Sequence, residues 1–378
     1  MKKTFPTLIS LILFFSPLFC LGNDSREISL LTCSPGDEIY SVFGHSAIRV
    51  TDYEQGSDVI YNFGMFSFGT SNFALKFAKG SLKYCLGKQY VNGFIIEYTD
   101  DNRLIIEQVL QLTDEQKEAI ISRLEFLYLP ENRNYLYSFL EKNCATEIRD
   151  LLETVILKKE GEKPLFQREA VNETSRQLIS RYLKQNLWTR LGINLALGRP
   201  IDKPNDSYKR MFLPDYLYVE VAQATNNGQS LVKEEHPLNH VAELEPESVW
   251  WYSPFLVFSL LFLIVFFWQN RATTLISFIF IAIIGTVILA LNLFSDHPET
   301  KTNFNLLWCN PFYFIYLPFV IKNKIPKFLP PLFLFSILLT FIFWMCGIQQ
   351  FDVAILPLLL ILILLNFRLW RKVFLISK

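Results

Sequence analysis

Two side chains stand out as able to do nucleophilic chemistry, Cys144 and His45. Cys144 lies in Asn143-Cys144-Ala145-Thr146-Glu147, and downstream Ile148, Leu151, Leu152, Val155 and Ile156 recur at helical spacing. That pattern puts the cysteine at a helix start, where unpaired N–H groups and the macrodipole favour a thiolate. His45, in Gly44-His45-Ser46-Ala47-Ile48, is the only histidine before residue 236. An imidazole in reach takes the thiol proton and frees the sulfur to attack an acyl carbonyl, while a third polar group orients the ring. Asn62 is the first candidate for that third role and Asp58 the second. The bland reading of the same residues is a buried helix-start thiol and a strand histidine satisfied by structure alone.

Other polar residues carry weaker signals. His297, in Ser295-Asp296-His297-Pro298-Glu299, is expected either to meet a lipid headgroup or an amine, or to serve as an ordinary loop residue at a membrane boundary. Asn143 and Tyr61 join it as residues expected against substrate. His236 and His240 accompany Glu234 and Glu235 in an acidic connector, which reads more simply as a solvated linker than as a metal site. No spacing matches a zinc site or a phosphate-binding glycine loop, so neither metal nor cofactor is expected. Arg199, Asp202 and Asp215 are expected to brace the cleft or to cap and decorate the surface.

The elements that must position these residues follow from pattern. Residues 38–50 and 58–63 predict a hairpin turning at Gln55-Gly56-Ser57-Asp58, with His45 on one arm and Asn62 on the other. Residues 82–86, 94–98 and 103–112 predict further strands. Thr113-Asp114-Glu115-Gln116 fits a capping box ahead of the stripe Ile120, Ile121, Leu124 and Leu127. The Cys144 helix follows, then a helix over 173–185 ahead of residues 188–197, loops around 198–202 and 211–217, and an acidic connector over 223–247. Strands carrying the histidine and a helix led by the cysteine predict an α+β domain with sheet and helix facing across a cleft.

The 378 residues carry 36 basic and 36 acidic side chains, so total charge points to no nucleic-acid partner. Its distribution is more telling. Lys2 and Lys3, an apolar core from Leu8 to Phe19 and Cys20-Leu21-Gly22 read as a secretory signal over 1–22. Residues 23–245 resemble an exported soluble domain. Its three cysteines, Cys33, Cys85 and Cys144, are an odd number for an oxidising compartment; a Cys33–Cys85 disulfide would leave Cys144 free. Residues 246–378 hold five apolar windows, at 253–268, 272–294, 305–321, 328–348 and 353–367. About 20 residues cross a bilayer, and the aromatic flanks of the first and last windows lengthen them. Lys and Arg fall on the side opposite the exported domain except for Lys301, which predicts an inner-membrane protein with five spans and a cytoplasmic C-terminus.

Gly44-His45-Ser46 on a strand, a polar residue on the next strand and Asn143-Cys144 opening a helix resemble the permuted papain-like group. That group includes lecithin:retinol acyltransferase-like enzymes and relatives of NlpC/P60 peptidases. Ala145-Thr146 departs from the acyltransferase box, where Glu-His is usual, and Asn62 stands where many members have a second histidine. Over most of the chain, Gly44-His45-Ser46, Tyr61-Asn62-Phe63-Gly64, Asn143-Cys144-Ala145-Thr146, Met211-Phe212-Leu213-Pro214 and the terminal spans resemble the Lnb family of Bacteroidota. The resemblance implies lipoprotein N-acylation, in which an acyl chain passes from a phospholipid to the α-amino group of a diacylglyceryl-cysteine. Cys144 would carry the acyl group and His45 would be the base. The partners implied are a phospholipid donor, a diacylated lipoprotein acceptor and the membrane. Two other readings stand beside it, a papain-like cell-wall peptidase or amidase and a non-enzymatic membrane receptor or scaffold.

Overall fold

The computed structural model describes residues 25–157, 164–242 and 250–375. The expected signal segment and the expected boundary between the two halves lie outside these residues. A seven-stranded antiparallel sheet frames the first half. Its strands are β1 (Arg26–Cys33), β2 (His45–Asp52), β3 (Ser57–Met65), β4 (Lys83–Tyr90), β5 (Ile105–Leu110), β6 (Asn134–Leu136) and β11 (Val232–Pro237), in the order β11-β5-β1-β2-β3-β4-β6. Alternate residues divide between two cores, as the two-residue period requires. Leu30, Ile48, Tyr61 and Phe63 face α3 (Asp114–Tyr128) and α4 (Cys144–Ile156). Leu31, Cys33, Ala47 and Ile60 face α2 (Val91–Asp100). With both faces covered, β1 is buried continuously from Ile28 to Cys33 rather than on alternate residues.

The expected hairpin joins β2 to β3, but its first arm is shorter than the pattern predicts. Residues 38–44 form turns, and Gly44 takes φ +79° immediately before the strand. The expected strand at 94–98 is instead part of α2, where Val91, Phe94 and Tyr98 repeat at helical spacing on the buried face. Thr113 and Gln116 form the expected capping box of α3. The expected 223–247 connector carries more structure than its polarity implies. After α8 (Pro214–Gln223), which takes up the end of the expected 211–217 loop, it holds β9 (Thr225–Asn226), β10 (Gln229–Ser230) and β11. β11 is an edge strand against β5, and its charges suit an exposed sheet edge. A ribbon of β7 (Ala170–Thr174) and β8 (Pro204–Asp206), with α5 (Ser175–Tyr182), α6 (Leu187–Ala196) and short α7 (Ser207–Arg210), completes this half, together with α1 (Phe73–Lys79).

The second half is helical: α9 (Pro254–Phe267), α10 (Arg271–Phe294), α11 (Tyr313–Lys322), α12 (Leu329–Met345) and α13 (Leu356–Leu375). The segments Arg271–Phe294 and Val353–Phe374 are long and apolar enough to cross a membrane, and the other three helices are shorter. The window expected as one span at 305–321 is broken. Phe304–Leu307 form a 3-10 turn, and α11 begins after Asn310-Pro311. The break has a physical source, because Asn305 and Trp308 are buried and the Asn305 side chain donates to the backbone of α6. This seam joins the two halves. Asn303 Nδ2 donates to the carbonyls of Leu195 (2.7 Å) and Ala196, Arg190 pairs with Asp352 at 3.0 Å, and the Gly198 N–H donates to the Glu299 carbonyl.

Candidate active site

Asn143 sets the position of Cys144. It is 2% exposed, and its Oδ1 accepts from the backbone N–H groups of Ala145 and Thr146, both at 2.9 Å, while Thr146 Oγ1 accepts from the Asn143 N–H. This reciprocal cap explains the Thr146 that departs from the acyltransferase box. Asn143 Nδ2 donates to the carbonyls of Phe139 (2.7 Å) and Phe212 (2.8 Å), tying the helix start to the Met211–Pro214 motif. Expected against substrate, Asn143 is instead fully engaged within the protein and acts as a positioning residue.

The helix start is aimed at β2. The backbone N–H groups of Ser46, Ala145 and Cys144 lie around the Cys144 sulfur and favour its thiolate. β2 pairs with β3 from Ile48 to Asp52, so the Ser46 N–H lies beyond their ladder and is available to the sulfur. β3 diverges there through an irregularity between Asn62 and Met65 and through Gly64 at φ +88°. A Cβ on Gly64 would lie 3.9 Å from the Cys144 Cβ, so β3 passes directly beside Cys144.

His45 opens β2 next to Ser46. Its placement depends on Gly44, where a side chain would be strained and its Cβ would come within 2.8 Å of the Cys33 carbonyl oxygen. The His45 Nε2 lies 3.1 Å from Asn62 Oδ1. An amide oxygen only accepts, so Nε2 carries the proton and Nδ1 is left as the basic nitrogen. The ring stacks on Tyr98 at 6.4 Å between centroids, and the Arg103 guanidinium lies 4.4 Å from the centre of the Tyr98 ring.

Burial pushes the His45 imidazole down to about 4, with the Arg103 charge adding to the effect and the Asn62 hydrogen bond opposing it. Burial also raises the Cys144 thiol, against the three backbone N–H groups that favour its thiolate. The His45 imidazole and the Cys144 thiol are therefore both neutral at rest. A neutral thiol and a neutral imidazole brought together can move one proton as a sulfur attacks, and backbone N–H groups around the sulfur suit the negative charge such a step develops.

The other expected residues are distributed differently. Asp58 is held by Arg49, at 2.6 and 2.8 Å, and does not orient His45. Tyr61 lies on the opposite face of β3 from Asn62 and donates to Glu125 at 2.5 Å. His297 bonds the Phe77 carbonyl at 2.9 Å, at the seam between α1 and the end of α10. His236 lies on β11, 3.2 Å from Glu107, and no group of three or more metal-ligating side chains occurs among the described residues. Cys33 and Cys85 are both free thiols, and the disulfide considered from sequence is not formed. Asp202 pairs with Arg176 at 2.8 Å and Asp215 accepts from Tyr182, so both brace the structure. Tyr98 and Arg103 escaped the sequence reading because 94–98 looked like a strand. Val91, Phe94 and Tyr98 at helical spacing were the available signal. A cavity of about 390 Å³, lined by Leu165, Phe166, Arg210 and Glu220, lies near the opposite end of α4 from Cys144.

Neither a curated relative nor a solved structure matches the chain. Family models do. The Lnb N-terminal periplasmic domain matches residues 22–174, which contain His45, Asn62 and Cys144, and the Lnb transmembrane domain matches residues 245–374, which contain all five C-terminal helices. The chain has both halves of that architecture, a periplasmic domain followed by a membrane domain, and it belongs to the Lnb family.

Proposed function

We propose that the chain is a membrane-bound lipoprotein N-acyltransferase working through a thioester on Cys144. The observation that carries this reading is Cys144 at the capped start of α4 and the His45 Nε2–Asn62 Oδ1 hydrogen bond, on a domain joined to membrane helices, with the Ser46 N–H near the Cys144 sulfur. The same three residue types serve papain-like enzymes, and we assign the periplasmic domain to their permuted group. In the first half-reaction Cys144 Sγ attacks an ester carbonyl of a phospholipid while its proton passes to His45 Nδ1. The ester C–O bond breaks, the lysophospholipid alkoxide takes that proton, and the acyl group remains on sulfur. In the second, the α-amine of a diacylglyceryl-cysteine attacks the thioester. His45 takes a proton from nitrogen and returns it to the departing thiolate, leaving an amide and free Cys144. Backbone N–H groups around Cys144 hold the oxyanion in both steps.

In this reading the catalytic domain faces the periplasm, the helices make five crossings of the inner membrane, and the C-terminus is cytoplasmic. Both substrates then lie in the leaflet beside the domain. The test is to express wild type, Cys144→Ala and His45→Ala in a conditional strain lacking its own lipoprotein N-acyltransferase, and to weigh the N-terminal peptide of a reporter lipoprotein. Wild type should add a third acyl chain, and neither variant should, at equal protein levels. No added chain with correctly inserted wild type ends the acyltransferase reading. A chain added by Cys144→Ala ends the thioester mechanism.

A further inference from the structure

Glu299 lies in the short 3-10 turn Pro298–Thr300, which follows α10 and His297. It is 5% exposed, its Oε1 is buried without a hydrogen-bond partner, and no described cation pairs with it. Lys301, two residues on, is engaged elsewhere, donating to the carbonyls of Asn292 (2.9 Å) and Ser295 (2.5 Å). The Glu299 backbone is fixed, because its carbonyl accepts from the Gly198 N–H at 2.8 Å. Burying a carboxylate is costly unless a cation or hydrogen-bond donors answer it. An orphaned carboxylate oxygen on a fixed backbone points to a ligand that supplies the missing charge.

The surroundings select the kind of cation. Tyr137 links this carboxylate to Cys144, since both lie within electrostatic reach of its hydroxyl. The Tyr137 ring stacks on Tyr84 at 4.3 Å, and Tyr84 packs against Phe66 at 5.2 Å. A carboxylate next to an aromatic ring suits an ammonium group, which gains an ion pair from the one and a cation–π contact from the other. A metal ion needs several ligands, and no group of three or more metal-ligating side chains occurs among the described residues. The turn follows a helix of membrane length, so on the proposed topology it lies at the level of lipid headgroups.

We propose that Glu299 holds the primary ammonium group of a substrate bound at Cys144, with Tyr137 beside it. This inference rests on the acyltransferase reading, which offers two such groups. One is the α-amine of the diacylglyceryl-cysteine acceptor, and the other is the ethanolamine headgroup of a phospholipid donor. Both present the same chemistry to Glu299, and the test separates them.

Full-length Cys144→Ala in phosphatidylglycerol vesicles is treated with a water-soluble carbodiimide, which joins a carboxylate to a primary amine in contact with it. One arm adds phosphatidylethanolamine. The other adds a diacylglyceryl peptide that has no carboxylate and whose N-terminus is its one primary amine. Peptide mass spectrometry should find an amide on Glu299 in one arm, which identifies the source, and none with phosphatidylglycerol alone. With Cys144 intact, Glu299→Gln should raise KM for that same amine about tenfold and leave KM for phosphatidylglycerol unchanged, and Glu299→Asp should recover part of the loss. No amide in either arm, with every KM unchanged, overturns the proposal. So does a KM that rises for phosphatidylglycerol as much as for the amines, the mark of a merely structural role. If an amine couples to Glu299 while the reporter lipoprotein gains no third chain, the acyltransferase reading falls and the ammonium site stands. If the reporter is acylated while neither amine couples to Glu299 or depends on it, the reverse holds.

Discussion

Acid should loosen this site through one identifiable proton. An unfolded histidine titrates near 6.5, whereas His45 is pushed down to about 4 in the folded chain. Above 6.5 neither state binds the proton, so His45 leaves stability unaffected. As the pH falls from 6.5 to 4 the unfolded chain takes up a proton that the native site refuses, and stability is lost across that window. At 1.36 kcal/mol per pH unit the full loss is about 3 kcal/mol, of which about 2.5 is reached by pH 4.5. Carboxylates such as Asp52 and Glu125, which the fold holds below their ordinary range, also weaken in acid, so a control is needed. His45→Gln supplies it, since glutamine does not titrate. Hydrogen exchange of β2 amides should show wild type losing about 2.5 kcal/mol more opening free energy than His45→Gln between pH 7.5 and 4.5. The acid limb of kcat/KM for thioester formation should likewise fall near 4 rather than 6.5. Equal acid losses in the two proteins, or an acid limb at 6.5, would refute a buried neutral base.

Two further substitutions separate positioning from chemistry. Asn143→Ala removes an N-cap, about 1–2 kcal/mol, and strands the buried Phe139 and Phe212 carbonyls, so thermal or chemical unfolding should show a loss of about 2–4 kcal/mol. Asn62→Ala leaves Cys144 and its cap intact but frees the His45 tautomer, so kcat should fall roughly 10²–10⁴-fold while the melting temperature changes little; an unchanged kcat would remove Asn62 from the mechanism.

Sequence revealed the site where local rules act and missed it where tertiary packing decides. Cys144 was legible because the helical stripe after it and the Asn-Cys-Ala-Thr start obey short-range capping. The hairpin of His45 and Asn62 was legible from alternation and a glycine turn. The Ser46 N–H could not be read, because its freedom depends on where β3 leaves β2, a matter of register and of Gly64. Tyr98 and Arg103 were hidden by a strand-like apolar run that helix packing against Leu31 and Ile60 turns into α2. β11 was hidden because an edge strand needs only one buried face, so Val-Lys-Glu-Glu-His-Pro looked like linker. The 305–321 window failed for a related reason. Hydropathy counts Asn305 and Asn310 as tolerable interruptions, while the fold uses Asn305 to bond α6.

That last use bears on how the two halves of the chain are held together. The two halves meet along two separate seams. One joins α1 to residues 295–297, and the other joins α6 and the turn after it to residues 299–305 and 350–352. Near the second, Arg176 bonds Asp202 and the carbonyls of Leu197 and Gly198, and Asp202 in turn accepts from the Gln350 N–H. A single seam would leave a hinge; two, set on different elements, fix orientation as well as distance. Both lie on loops that follow or precede membrane-length helices, so the face that carries Cys144 is held relative to those helices rather than swinging above them. In the proposed reaction, where Cys144 meets an ester barely raised from a bilayer, a fixed orientation lowers the entropic cost of each encounter. On the proposed function, the buried asparagines of these loops serve catalysis at a distance, by fixing how the Cys144 domain is oriented to the membrane-length helices.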